Sequence, residues 1–316
     1  MFNQVVFGGG GGRCCWQVGF WQAIEDEINL APQVVSAVSA GALMASLVLM
    51  GRGQEAEDYF LSVTQQNQRN VYWSNLLRKP PVFPHYEIYR RGVRELFDGG
   101  FDKLCAATDL RVAVTLRPRW MPPVCALAAG GTLYYINKYL LRSLHPKLPS
   151  RLGFRQVFYR VRDCANEAEL EHLILSSSCT PPITPRLRMD GAQVLDGGVV
   201  DNAPIDGLEA YKGLVLILPT RRYPRLPHWF SRRVQGQTWV YVQPSRRLPI
   251  KSWDFTNPEA LTEIFEIGRV DGRAFLAEIV AKGGDLDLAI NGLATGIPLS
   301  FMPSMIERIG QAHWLR

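Results

Sequence analysis

Five consecutive glycines, Gly8 to Gly12, follow a short apolar run from Gln4 to Phe7 and lead through Arg13 into a mostly apolar stretch. Bare backbone between a strand and a helix start offers closely spaced N–H donors at the positive end of the helix dipole, which suits a negative oxygen. The chain therefore opens on an anion-binding loop. Such a loop either cradles nucleotide phosphates or holds the oxyanion that forms when a nucleophile attacks an ester carbonyl. A Walker-type loop needs Lys and then Ser or Thr behind its last glycine, whereas Arg13, Cys14 and Cys15 stand here, which disfavours a nucleoside triphosphate. A dinucleotide fingerprint also fits poorly: Cys14 takes the last glycine position of one register, with only Glu25 or Asp26 left for the ribose role.

A second turn narrows the choice. Pro32 to Ser36 reads as a buried strand, runs into Ala37-Val38-Ser39-Ala40-Gly41, and continues into Ala42 to Met50, which has the composition of a buried helix. Strand, sharp turn around a serine, then helix is the pattern of a nucleophile elbow. Its strained turn brings the positions two before and two after the serine close together, so both must be small. Gly41 meets the demand, and Ala37 adds one methyl to it. The string alone fits equally well a serine where a helix packs tightly on a sheet.

A serine hydroxyl needs a base. Of the five histidines, His85 and His145 adjoin Pro-containing turns, His172 lies among Glu167, Glu169 and Glu171, His228 sits in an Arg- and Pro-rich loop, and His313 is close to the last residue. None has the neighbours of a catalytic turn, and each reads as a surface or structural residue. Asp196 is the better candidate. It ends a short apolar run and is followed by Gly197 and Gly198, which let the backbone turn tightly enough to aim the carboxylate inward. Taken alone, Asp-Gly-Gly is an ordinary surface turn.

Four blocks together carry a resemblance: Gly9-Gly10-Gly11-Gly12-Arg13, Ala37-Val38-Ser39-Ala40-Gly41-Ala42, Ser177-Ser178-Cys179-Thr180-Pro181-Pro182, and Asp196-Gly197-Gly198-Val199-Val200-Asp201-Asn202-Ala203-Pro204-Ile205. In this order they resemble the patatin-like phospholipase family over about the first two thirds of the chain. The resemblance implies a three-layer α/β fold with a mostly parallel central sheet and helices on both faces. It also implies hydrolysis of lipid acyl esters by a Ser-Asp dyad without histidine. On that basis Ser39 is expected as the nucleophile, Asp196 as the general base, and Gly10, Gly11 and Gly12 as the oxyanion donors. The departures are Ala37 for the first elbow glycine and Cys14 where the family usually has glycine. Arg13 has two readings: it either pins the glycine loop through its guanidinium, the preferred one, or contacts an anionic head group.

The elements needed to hold these groups are present. With 316 residues, 47% of them hydrophobic, the chain can bury a sizeable core, and residues 1–316 read as one acyl hydrolase domain. Gln54 to Gln68 reads as an amphipathic helix, Arg111 to Leu116 and Gln156 to Val161 as strands, and Glu167 to Ser176 as a helix. Gly213 to Leu218 and Thr238 to Val242 read as strands, and Asn257-Pro258-Glu259 as the start of a helix reaching about Lys282. Alternating strand and helix itself argues for a largely parallel sheet with helices on both faces.

No export signal is visible, and the six cysteines lack metal-ligand spacing, so they read as reduced thiols of a cytoplasmic protein with no cofactor and no metal. Pro122 to Leu141 is apolar but broken by Gly130, Gly131, Asn137 and Lys138. With its cationic flanks and Tyr134, Tyr135 and Tyr139, it fits a lid or interfacial segment at about 120–145 or, equally, a core helix with solvated ends. A second basic stretch, from Arg221 through Arg232 and Arg233 to Arg247, mixes arginine with aromatics on a chain of net charge +6. An ordinary solvated face explains it best, then an anionic membrane surface, and nucleic acid least, since no nucleic-acid motif accompanies it. The expected partner is a membrane phospholipid or other acyl lipid substrate. A non-catalytic lipid-binding or scaffold protein on the same fold is the alternative reading, and acyl transfer is a related one. Head group, acyl position and oligomeric state leave no readable trace.

Overall fold

The computed structural model describes residues 2–77, 81–136, 144–146 and 148–281. His313 and residues 137–141 of the apolar stretch lie outside the described residues, as do Lys138, Arg142, Lys147 and Lys282.

Among the described residues nine strands form the sheet, in the order β5-β6-β3-β2-β1-β7-β9-β8, with β4 also on β3. The centre is parallel: β1 (Phe2–Phe7) pairs with β2 (Val34–Val38) and with β7 (Gly213–Leu218). β2 pairs with β3 (Asp109–Leu116), and β7 with β9 (Gln237–Val242). Antiparallel strands close both ends: β4 (Arg155–Arg160), β5 (Arg188–Met189) and β6 (Ala192–Asp196) beyond β3, and β8 (Trp229–Val234) beyond β9. Two of these additions are hairpins whose two-residue turns hold both residues at positive φ, Asp190-Gly191 and Gln235-Gly236. That twist matches the twist of the strands they join.

The central strands are apolar on both faces, as parallel strands covered from both sides must be. Phe7, Leu216, Leu218, Val240 and Val242 enter the larger core, whereas Val6, Val215, Ile217, Trp239 and Tyr241 enter a smaller one on the other face. The larger core is built with α1 (Cys15–Ile24), α2 (Ala40–Leu49), α3 (Gly53–Gln66), α4 (His85–Phe97), α5 (Phe101–Ala107), α8 (Glu167–Ser177) and α9 (Pro258–Ala281). Asn257 caps α9 by accepting from the Ala260 N–H at 2.9 Å. α9 is fixed to α1 by the buried Trp16 indole, which donates to Asp271 at 2.7 Å.

Two further helices are α6 (Pro123–Tyr135) and α7 (Leu148–Arg151). α6 turns Ala126, Gly130 and Leu133 inward onto a small cluster with Phe154, Leu195 and Val200, and leaves Val124, Cys125 and Ala128 exposed. It is therefore a helix lying on the surface beside the Asp196 turn. The basic stretch after Arg221 contains an unforeseen strand: β8 buries Phe230 against Tyr241, and its arginines edge the sheet. Charge on an outermost strand discourages pairing with another chain.

Candidate active site

Topology brings the serine and the aspartate together. Residues 111–113 of β3 pair with both β2 and β4, and residues 114–116 with both β6 and β4. β2 and β6 must therefore share one edge of β3, β6 beginning where β2 leaves off. Val38 faces Ala113 and Asp196 faces Val114, consecutive residues of β3. The residue after Val38 is Ser39, and its Oγ donates to Asp196 Oδ2 at 2.6 Å.

Ser39 stands between β2 and α2 with φ 55° and ψ −139°, a conformation that L residues hold only where the surroundings enforce it. The surroundings do so. The Ser39 N–H donates to Ser177 Oγ at 2.7 Å, and that hydroxyl donates to Ala113 O at 2.7 Å. A Cβ on Gly41 would lie 2.4 Å from Gly8 O, so glycine at this position lets the elbow press directly against the glycine loop. The extra methyl of Ala37 is buried in the larger core.

Asp196 is held as firmly. Its N–H donates to Cys179 O at 2.7 Å, and its Oδ1 accepts from the Gly198 N–H at 2.7 Å. Gln156 ties the following turn by donating to Gly197 O and Asp201 O, both at 2.8 Å. The carboxylate meets the cleft at its outer face while protein surrounds it elsewhere. Burial pushes its pKa up to about 6, against the opposing pull of the Ser39 and Gly198 hydrogen bonds. At neutral pH such a group is ionised yet far more basic than an exposed aspartate.

The glycine loop is pinned on its outer side. Gly8 N–H donates to Leu218 O and Gly9 N–H to Asn202 O, while Gly9 O accepts from Asn202 Nδ2 at 2.8 Å and from Thr220 Oγ1 at 2.6 Å. Arg13 Nε donates to Gly10 O at 3.2 Å, the loop-fastening contact of the two readings considered for it. Cys14 is fully buried with its thiol directed at Gly8 O, and burial raises its pKa far above the usual thiol range. It is an inert packing group.

The expected set of oxyanion donors needs one correction. The Gly12 N–H is already engaged by Ser252 O at 3.1 Å, so it has no proton to offer an incoming oxygen. No acceptor among the described residues engages the N–H groups of Gly10 and Gly11, and both residues line the same cleft as Ser39 and Asp196. A Cβ on Gly11, at φ +59°, would lie 1.9 Å from Ser252 O, so no side chain fits there.

Two cavities meet at Ser39. One is a narrow apolar chamber walled by Met44, Phe60, Leu175, Phe255 and Leu261, with Tyr89 and His85 at its side. The other is a wider and more polar cleft, bounded by Asp196, Asn202 and Thr180 and by Leu127, Gly130 and Gly131 of α6. Ser252 and Trp253 border both. No histidine among the described residues hydrogen-bonds Ser39. His85 Nε2 meets Trp253 O at 2.8 Å, and burial lowers its pKa. His145 is buried between Asp201 at 2.8 Å and Tyr241 at 2.9 Å. The sequence reading gave no part to Asn202, Thr220, Ser252 or Trp253. The last three lie far beyond the glycine loop in the chain, and only Asn202, inside the Asp196 block, carried any signal.

The fold and the site define an α/β protein with a strained serine elbow facing a carboxylate beside a glycine-rich loop. The sequence profile of the patatin-like phospholipases matches residues 5–208, and the chain belongs to that family of lipid acyl hydrolases. Among solved structures it resembles the crystal structure of VipD from Legionella pneumophila at 11% identity and a TM-score of 0.42, with 87% of this chain and 67% of that chain covered. No curated protein matches the sequence. No helix among the described residues is long and apolar enough to cross a membrane.

Proposed function

We propose that the protein hydrolyses acyl esters of phospholipids or lysophospholipids through a Ser39–Asp196 dyad and an acyl-enzyme. The observation that carries this reading is the 2.6 Å hydrogen bond between the hydroxyl at a strained elbow and a carboxylate whose basicity burial has raised. In the first half-reaction Ser39 Oγ attacks the acyl carbonyl carbon while its proton passes to Asp196 Oδ2. The charge that develops on the carbonyl oxygen faces the N–H groups of Gly10 and Gly11 and the positive end of α2. Collapse of the tetrahedral adduct breaks the ester bond, and the departing alkoxide takes the proton from Asp196. Water then attacks the acyl-serine, giving its proton to the same carboxylate, and the fatty acid leaves with Ser39 reprotonated.

The two cavities suit the two halves of such a substrate. The narrow apolar chamber takes the acyl chain, which loses nothing by leaving water, and the more polar cleft takes the glycerol and head group. A fluorophosphonate that reacts with activated serines tests the reading. Peptide mapping is expected to find the adduct on Ser39. The Ser39→Ala protein is expected to remain unlabelled, and both Ser39→Ala and Asp196→Asn to lose nearly all activity on a nitrophenyl ester. Labelling at another serine, or hydrolysis by the folded Ser39→Ala protein, would show the assignment to be wrong.

A further inference from the structure

Nine large apolar side chains are exposed among the described residues, and their distribution is uneven. Trp73, Leu76 and Leu77 are 70%, 68% and 97% exposed on one loop. Trp120, Val124, Leu148 and Leu152 are 73%, 64%, 36% and 41% exposed, the first two around the entry to α6 and the last two at the two ends of α7. Only Val270 and Val280, both on α9, lie elsewhere. Scattered apolar residues on a surface need no explanation, but seven of nine on two segments do.

Each of those two segments leads into the wall of one cavity. The first loop closes on itself through the Tyr72 N–H to Val82 O at 2.8 Å. It is fastened beside Trp253 by Asn70 Nδ2 to Asp254 Oδ1 and Asn67 Nδ2 to Phe255 O, both at 2.9 Å. It then runs directly into His85 and Tyr86, which wall the apolar chamber. The second segment supplies Leu127, Gly130 and Gly131 to the wider cleft. A Cβ on Gly153 would lie 3.7 Å from Trp120 Nε1, so Leu152 and Trp120 are neighbours.

The charges follow the same division. Residues 59–86 and 117–155 contain ten Lys and Arg and no Asp or Glu; since the whole chain nets +6, what remains of it nets −4. Arg69, Arg119, Arg151 and Arg155 are exposed. Tryptophan and leucine projecting among arginines, with no carboxylate near them in the chain, match the headgroup layer of an anionic bilayer, where indole rings settle and cations meet phosphate.

Building on the acyl hydrolase reading, we propose that the surface carrying Trp73, Leu76 and Leu77 and Trp120, Val124 and Leu152 is a two-anchor docking face for an anionic phospholipid bilayer. Docking through it sets the mouth of both cavities against the lipid, so that a substrate molecule moves from bilayer to Ser39 without crossing bulk water.

The experiment uses the full-length Ser39→Ala protein, whose binding is measured by co-sedimentation with phosphatidylcholine vesicles with and without phosphatidylserine. Binding is expected to be stronger with phosphatidylserine and to weaken as salt rises. Trp73→Ala with Leu77→Ala, and separately Trp120→Ala with Val124→Ala, are each expected to lower the partition coefficient about tenfold or more. Val280→Ala, equally exposed at 70% but on α9, is expected to leave it unchanged. With Ser39 restored, both anchor variants should keep parental activity on a soluble nitrophenyl ester and lose it on vesicles. Failure of the parent to bind vesicles, binding indifferent to either anchor pair, or an equal effect of Val280→Ala would overturn the docking face. A parent that binds vesicles yet hydrolyses no soluble ester would instead defeat the acyl hydrolase reading while leaving the docking face standing.

Discussion

The frame that holds Ser39 and Asp196 and the two segments proposed to meet lipid are built on opposite plans. In the frame, backbone does the work: β2 and β6 share one edge of β3, the elbow presses on Gly8, and the loop is tied through Asn202 and Thr220. In those two segments, large side chains stay exposed, Leu77 at 97% being the extreme. The difference teaches where precision is needed. Attack and proton transfer fail if atoms move by an ångström, so the reacting groups are over-determined, whereas a lipid surface is fluid and asks only for apolar area and charge.

That contrast makes measurable demands. The largest effect belongs to the frame: Ser39→Ala should lower kcat on the order of 10⁴-fold or more, and Asp196→Asn on the order of 10³-fold, equally on soluble and vesicle esters. A variant that lost activity only on vesicles would dissolve the distinction. Gly41→Ala comes next. Its methyl, 2.4 Å from Gly8 O, must shift the glycine loop against the elbow, and a loss on the order of 100-fold is expected with the fold retained by circular dichroism.

Acidity gives a third and smaller effect. Asp196 accepts a proton only when ionised, and its pKa lies at about 6. Activity should therefore fall about tenfold for each pH unit below about 6, and the acid limb should be absent from the residual activity of Asp196→Asn. An acid limb near the ordinary aspartate value of about 4 would mean that the carboxylate is more hydrated than the frame implies.

The smallest effect is on stability. Because the folded state raises this pKa from 3.8 to about 6, it binds the proton more tightly than the unfolded chain, and stability falls as pH rises through that interval. Above about pH 6 the ionised carboxylate costs the fold up to about 3 kcal/mol. Asp196→Asn should consequently raise the thermal midpoint at about pH 8 and give no gain below about pH 4. A midpoint unchanged at both values would show that the site is not held at the expense of stability.

Local patterns read well and distant ones did not. The elbow was legible because a serine between a buried strand and a buried helix, with Gly41 two positions on, obeys a steric rule within a few residues. The Asp190-Gly191 hairpin was equally open to reading, since Asp-Gly is a strong two-residue turn signal, but it was passed over. β8 was hidden by its arginines, which reflect an edge position that only the assembled sheet defines. α4 was missed because it follows a Pro-rich run and its thirteen residues carry several charges. Gly12 looked identical to its neighbours until Ser252, far along the chain, engaged its N–H.

By itself the sequence pointed to the groups here proposed to meet the substrate: a hydroxyl on an elbow, a carboxylate before two glycines, and a stretch of unsubstituted backbone. These follow from rules of strain and donor spacing that act over a handful of residues. The tertiary structure alone decided how far Asp196 is removed from water, which glycine N–H groups stay free, and which tryptophans stay exposed. Each of those depends on neighbours that are remote in the chain and become adjacent only when the sheet is formed.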